Sequence, residues 1–336
     1  MSSSTQPTLL ALDIGAKQHA FAWEHASHQN TGVVPNEPKA LRSFLTTLMR
    51  RTGRLNVLVE ATGVYYLDVA MLAVELGAQV CVVNPKAAHN FAKAMQQRSK
   101  TDRLDAAMLL DFLKRMPFTS WTPPRKALLE LRHYGRYLTQ LTGETTAARN
   151  RLHALCSTQS SPAYLRADLK RFIASMEKRI TRIRTQALTL IKADAALYER
   201  FQALTTIVGV ADISAAALLS ELSTMPPSLT SRACVCHAGL DPRVYESGTS
   251  VYKAPRISKH GNKYLRRALF HPALTAGVHD PRAKAFKERL IGRGKRKMQA
   301  NVAIMRKMLP AAWAIANDPQ PYDASKLYAE VDVEKV

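Results

Sequence analysis

Apolar and polar positions divide the chain into three textures. In the first 120 residues, short apolar runs alternate with helical ones. Thr8–Gly15 (TLLALDIG) is a mostly apolar run ending at a glycine turn, and His19–Trp23 (HAFAW) reads as its hairpin partner. Asn36–Arg51 opens with a cap and Pro38 in its first turn, then shows helical spacing. Asn56–Gly63 is a strand ending in glycine, a helix follows through Leu76, and Gln79–Pro85 is a further buried strand. Strands alternating with helices predict an α/β layer around a largely buried sheet.

Between Pro124 and Arg200 glycine becomes scarce and apolar residues recur at helical spacing: Leu128, Leu131, Leu138 and Leu141, then Leu165, Leu169, Phe172, Met176, Ile180 and Ile183. Two long helices broken near Thr158–Tyr164 are predicted, as an antiparallel hairpin or an intermolecular coiled coil. Two ordinary core helices and a projecting spacer both fit the pattern. From Leu204 to Leu222 the chain reads helix, tight turn at Gly209, helix. This resembles a helix-hairpin-helix, except that Val208 and Ala211 stand at the usual proline and second-glycine positions. Phosphate binding by the turn and plain helix packing are both open.

Composition narrows the partners. The chain has 336 residues, and 48 Lys and Arg stand against 26 Asp and Glu, a formal net charge of +22 with a pI near 10.1. Such an excess points to a polyanion, nucleic acid before an acidic membrane surface. No apolar stretch approaches eighteen residues, so no membrane span is expected. The N-terminus lacks a basic region ahead of its short apolar run, which argues against a signal peptide. Four cysteines without zinc-type spacing read as small buried residues in a reducing cytoplasm.

Candidate chemistry lies in two places. Asp13 and Glu60 each close a predicted strand just before a turn, where α/β sheets carry their sites. Asp102 and Asp105, in KTDRLDA, open the helix after the last predicted strand of the sheet. At a three-residue spacing they share a helix face and repel unless a cation lies between them. The helix dipole alone accounts for Asp102, but four acids converging on one sheet end predict a metal site. Oxygen ligands without His or Cys suit Mg²⁺, with Mn²⁺ as an alternative. Far downstream, ESGTS places Ser247 in a glycine-containing turn. A serine hydroxyl needs a base or a metal to react at neutral pH, and taken alone Ser247 is an ordinary turn residue.

The positive charge is concentrated after that turn. Residues 251–310 hold sixteen Lys and Arg against Asp280 and Glu288. Phosphates would relieve the self-repulsion of such a block and make binding salt-sensitive. Arg243, Lys253, Arg256, Lys259, Lys263, Arg266 and Arg267, with Arg293, Lys295, Arg296 and Lys297, are the candidate nucleic-acid contacts. Lys259, Lys263 and Arg266 are expected to form one helical stripe, and Gly292–Lys297 (GRGKRK) a flexible loop that grasps phosphate.

These motifs, in this order, resemble the DEDD transposases of the bacterial insertion-sequence one-ten family, over nearly the whole chain. Asp13 in LALDIG, Glu60 in LVEATGVY, and Asp102 with Asp105 in KTDRLDA match the family's four acids. AGLDPRVYESGTS places Ser247 at its serine nucleophile, and NPKAAHNFAKA and LRRALF also fit. The resemblance implies a RuvC-like domain of ribonuclease-H fold over residues 1–120. A helical, coiled-coil-like spacer over 121–200 and a mainly helical transposase domain over 201–325 would follow. It implies a Mg²⁺-dependent recombinase in which Ser247 attacks a DNA phosphate and holds the strand covalently. It further implies double-stranded DNA and a non-coding guide RNA, called a bridge RNA, as partners. Dimers pairing into tetramers and a cytoplasmic, nucleoid-associated location are also implied. Delegating sequence readout to RNA suits a chain rich in phosphate-binding charge. The residues alone leave two alternatives: a RuvC-like endonuclease using water, and a non-catalytic nucleic-acid-binding protein. They also leave open whether the acids and the serine meet in cis or in trans.

Overall fold

Leu10 and Leu12 alternate with Ala11 and Asp13 along the first strand, and that alternation sets the layers of the first unit. The computed structural model describes residues 6–26, 28–63, 65–96, 101–247 and 251–328, with backbone alone at 52, 244–247 and 251–255. The chain separates into two units at Pro123/Pro124.

In the first unit the elements run β1 (Thr8–Asp13), β2 (Gln18–His25), β3 (His28–Pro35), α1 (Pro38–Thr52), β4 (Leu55–Glu60), α2 (Tyr66–Glu75), β5 (Gln79–Val83), α3 (Pro85–Ala94) and α4 (Asp102–Arg115). The sheet order is β3-β2-β1-β4-β5. β1 pairs antiparallel with β2, whereas β1, β4 and β5 are parallel. A three-stranded meander continued by parallel strands through helical crossovers is the topology of a ribonuclease-H fold. Leu10, Leu12, Val57 and Val59 cover one face with α1 and α2. Ala11, Ala20, Ala22 and Leu58 cover the other, under Ala106, Leu109 and Leu110 of α4. Alanine at three of those sheet positions lets α4 approach closely. Local signals end the helices where the sequence predicts. Pro38 opens α1, and Gly53, at φ +70°, closes it by donating its N–H to the Met49 carbonyl.

The second unit is mostly helical. It comprises α5 (Lys126–Cys156), α6 (Ala163–Lys192), α7 (Ala195–Thr205), α8 (Asp212–Leu222), α9 (Ser231–His237), β6 (Pro242–Ser247), β7 (Val251–Ile257), α10 (Lys263–His279), α11 (Pro281–Gly292) and α12 (Lys297–Asn317). α8 is its centre, buried at every position from Ala215 to Leu222. α5 and α6 form the antiparallel hairpin, joined across residues 157–162. The buried positions of α5 are Leu128, Leu131, Gly135, Leu138, Leu141, Thr145 and Ala148, a three-four spacing that makes one seam.

Neither sequence reading of this pair holds alone. Leu128, Leu131, Leu138, Ala187 and Ile191 belong to the main core, while the far end exposes Tyr164 (72 %) and Phe172 (43 %). Gly209 resolves the turn between α7 and α8 as a packing device. Its φ is +89°, and a Cβ there would lie 2.5 Å from the Pro272 carbonyl oxygen of α10. Ile207 and Val210 beside it are buried, and the Val210 N–H is spent on the Ile207 carbonyl. The turn faces a helix, not solvent. Among the described residues, no helix is long and apolar enough to cross a membrane. Cys81 and Cys234 are buried, whereas Cys156 and Cys236 are exposed, and all four are free thiols. Burial pushes the Cys234 thiol up to about 12.

Candidate active site and nucleic-acid interface

Strand alternation decides where the acids point. β1 and β4 run parallel with Leu12 opposite Val59, so Asp13 and Glu60, the next residues, end level on adjacent strands roughly 4.8 Å apart. Each shares a face with the alanine or leucine two positions back, Ala11 or Leu58, and that face is covered by α4. Asp102 and Asp105 lie in the first turn of α4, which Thr101 caps by accepting the Leu104 N–H at 3.3 Å. All four carboxylates therefore belong to one layer and one end of the sheet. Glu60 accepts the Thr62 hydroxyl at 2.7 Å. Asp13, Glu60 and Asp105 are half-buried and Asp102 is exposed. Among the described residues, no three His, Cys, Asp or Glu side chains gather closely enough to hold a metal ion. The donor chemistry fits a hard divalent cation; the grouping is looser than coordination requires.

In the second unit Ser247 is the last residue of β6, paired with Val251 at the far end of the β6–β7 hairpin. Its side chain, that of Lys253, and the turn residues Gly248–Ser250 lie outside the described residues. The base of the hairpin is pinned. Ser258 donates its hydroxyl to Asp241 at 2.6 Å and its N–H to the Asp241 carbonyl, and the Lys259 N–H reaches the Gly239 carbonyl. Between base and tip, Arg243 stands directly opposite Arg256, both exposed.

The expected cation stripe breaks down. Lys259 sits at φ +53°, before the helix, and Gly261, at φ +93°, redirects the chain. α10 begins only at Lys263, capped by Asn262. Helical spacing in sequence does not put Lys259 on that helix. Arg266 is turned inward, donating to the Ala238 carbonyl at 2.8 Å. Arg267 lies over α5, where a Cβ at Gly143 would come within 2.3 Å of its guanidinium. Residues 292–297 form a tight turn between α11 and α12, with Gly294 and Lys295 donating back to Ile291 and Leu290. The four cations Arg293, Lys295, Arg296 and Lys297 are exposed on it.

Sequence reading overlooked a buried network. Glu221, 2 % exposed on the central helix α8, accepts Arg136 Nε at 2.5 Å and Nη2 at 3.0 Å. It also accepts Asn262 Nδ2 at 2.6 Å, and Arg132 lies 3.8 Å away. Burial raises the Glu221 pKa, but the Arg136 hydrogen bonds and charge, Asn262 and Arg132 outweigh it and hold the carboxyl below its usual range. Burial also lowers the pKa of nearby His237, against the pull of Glu221. The network ties α5, α8 and the start of α10 together beneath the base of the hairpin. Its one signal in the sequence is a lone acid inside the apolar run AAALLSEL.

A family model for DEDD transposases of the IS110 type, described as "Transposase", matches residues 10–158. A second, described as "Transposase IS116/IS110/IS902 family", matches residues 201–288. The pilin gene-inverting protein of Moraxella bovis is 31% identical, over 81% of this chain and 83% of that protein. The "Insertion element IS110 uncharacterized 43.6 kDa protein" of Streptomyces coelicolor is 24% identical, over 89% of this chain and 91% of its own. A solved RuvC structure from Thermus thermophilus aligns with 34% of this chain and 85% of its own, at 16% identity and a TM-score of 0.23.

Proposed function

This chain belongs to the IS116/IS110/IS902 family of DNA transposases, and from that premise we propose that it cuts and rejoins DNA through a covalent phosphoserine link. Ser247 is the nucleophile, and Asp13, Glu60, Asp102 and Asp105 hold a divalent metal, Mg²⁺ by donor chemistry. When bound, such an ion supplies Lewis-acid stabilisation at a phosphoryl group. In the forward step the Ser247 hydroxyl loses its proton to a general base and its oxygen bonds the phosphorus. The bond from phosphorus to the leaving deoxyribose oxygen breaks, and that oxygen takes up a proton. No high-energy cofactor is consumed, because the phosphoserine ester keeps the bond for rejoining. The strand end of another duplex then attacks the phosphorus and releases the serine.

The observation that supports this reading most directly is the β6–β7 hairpin. Its base is clamped by Asp241 and Ser258, its middle opposes Arg243 to Arg256, and its far rung carries Ser247. A serine at the end of a braced ribbon that also carries the exposed Arg256 is suited to meeting a phosphate. The relatives named for inverting a pilin gene support rearrangement of DNA segments as the outcome.

Double-stranded DNA is the substrate, and a guide RNA supplies the sequence readout in this proposal. The sequence has much phosphate-binding charge and no evident base-reading module. The catalytic, helical and C-terminal parts act as three functional segments, in a dimer that pairs into a tetramer in the bacterial cytoplasm.

The test is a denaturing-gel assay in Mg²⁺ for protein linked to DNA. Wild type is expected to form the adduct, and Ser247→Ala to form none while binding DNA within a few-fold of wild type. Cleavage by both proteins, with free 5′-phosphate ends and no adduct, would instead make the enzyme a hydrolytic nuclease and Ser247 a turn residue.

A further inference from the structure

The helical hairpin carries charge of its own. Residues 126–192 contain thirteen Lys and Arg against four acids, Glu130, Glu144, Asp168 and Glu177. Five of those cations meet acids within the fold. Arg132 and Arg136 face Glu221, Arg149 reaches Glu177 at 2.6 Å, Arg171 meets Asp168 at 3.4 Å, and Arg184 is bonded to Asp212. Both acids of α6 are thereby used. Lys178, Arg179 and Arg182 remain exposed, with no ion-pair partner among the described residues.

Their position on the helix is fixed by its buried row. Ile173, Met176, Ala187 and Ile191 turn into the seam, so Lys178 and Arg182 point away from it, with Arg179 beside them. Lys178 and Arg182 are about 6 Å apart along the axis at about 1.5 Å per residue. They border an open depression of about 710 Å³ lined also by Ala174, Glu177 and Thr181. The Glu177 carboxylate there is neutralised by Arg149. Three uncompensated cations within five residues cost repulsion that an ordinary solvated face avoids by alternating signs.

We propose that this outer face of α6 is a second DNA-binding surface, in which Lys178, Arg179 and Arg182 grip the phosphate backbone of duplex DNA independently of sequence. Duplex DNA is the occupant because the family's substrate is DNA, and the face carries three cations around a single carboxylate that Arg149 already pairs. The surface rests on that substrate and not on the role of Ser247, so failure of the adduct experiment leaves it standing.

The test measures affinity of the full-length protein for a DNA duplex several helical turns long, of arbitrary sequence, across a salt series. The variant Lys178→Gln/Arg179→Gln/Arg182→Gln is expected to bind more weakly, with a log–log salt slope shallower by about 2–3, at roughly 0.9 per lost phosphate contact. Arg179→Lys/Arg182→Lys keeps the charge and is expected to keep the wild-type slope. Unfolding at the wild-type temperature checks that the exposed substitutions leave the fold intact. A wild-type slope in the glutamine variant would overturn the proposal. So would a change seen with duplex RNA and not with duplex DNA, which would assign the face to RNA.

Discussion

The two units use carboxylates in opposite ways. Glu221 is buried at the centre of the second unit, and the protein supplies its counter-charges in fixed geometry: a forked Arg136, the Asn262 amide, and Arg132 behind. The acids of the first unit sit at the rim of a sheet, half-buried or exposed, spread over β1, β4 and α4. A buried carboxylate without its partners would be very costly, so such a group is a structural tie. Carboxylates with solvent access at a sheet end can be answered by a cation from outside. Burial, more than residue type, separates Glu221 from the acids of the first unit.

The sharpest way to break this contrast is to neutralise one acid in each unit. Asp13→Asn is expected to reduce DNA strand cleavage to background while costing less unfolding free energy than a substitution of the buried Glu221. Cleavage assays and denaturant unfolding on the same preparation check both halves. A variant that unfolds easily would make Asp13 a structural acid like Glu221.

Glu221→Ala should show the reverse order of effects. It leaves Arg136 facing a buried gap, and the expected cost is about 3 kcal/mol, the low end for a broken buried pair because Arg136 is 28% exposed. Thermal unfolding of the second unit reads it. Removing Arg136 as well should cost less than the sum of the single changes, because its forked guanidinium is no longer left facing the gap.

The smallest expected effect is on acid sensitivity. Burial lowers the pKa of His19 in the first unit, with Asn36 acting the other way, and burial lowers that of His237 in the second. A depressed histidine pKa contributes stability that is complete above the unfolded value, about 6.5, and is lost as pH falls through the folded value. Glu221, also depressed, adds a loss confined to the second unit, beginning below about pH 4.3. Hydrogen exchange between pH 7 and 4 should therefore show both units loosening first and the second weakening further. His19→Leu should flatten the first response in the first unit alone. Unchanged acid behaviour there would show that His19 does not carry it.

Much of the first unit was legible because its signals are local. The apolar runs ending at turns placed Asp13 and Glu60 at strand ends, and Asp102 and Asp105 do open a helix. In the second unit the two long helices were equally legible, but the cation stripe was not. Lys259, Lys263 and Arg266 have helical spacing, yet Gly261 breaks the chain's direction between the first two, and Arg266 turns toward Ala238. Gly209 read equally well as a phosphate turn or a packing glycine until α10 was seen against it.

By itself, then, the sequence determined the α/β texture of the first unit, the two long helices of the second, and where positive charge accumulates, but not β3, α3 or the β6–β7 hairpin. Those follow from backbone geometry and periodicity within about one turn or one strand. Only the tertiary structure decided which charges are spent. Arg136 and Arg266 look like Lys178 and Arg182 in a list of cations, but the first two are engaged by groups 85 and 28 residues away. The physical reason is that burial and pairing are properties of long-range contacts, which no local pattern records.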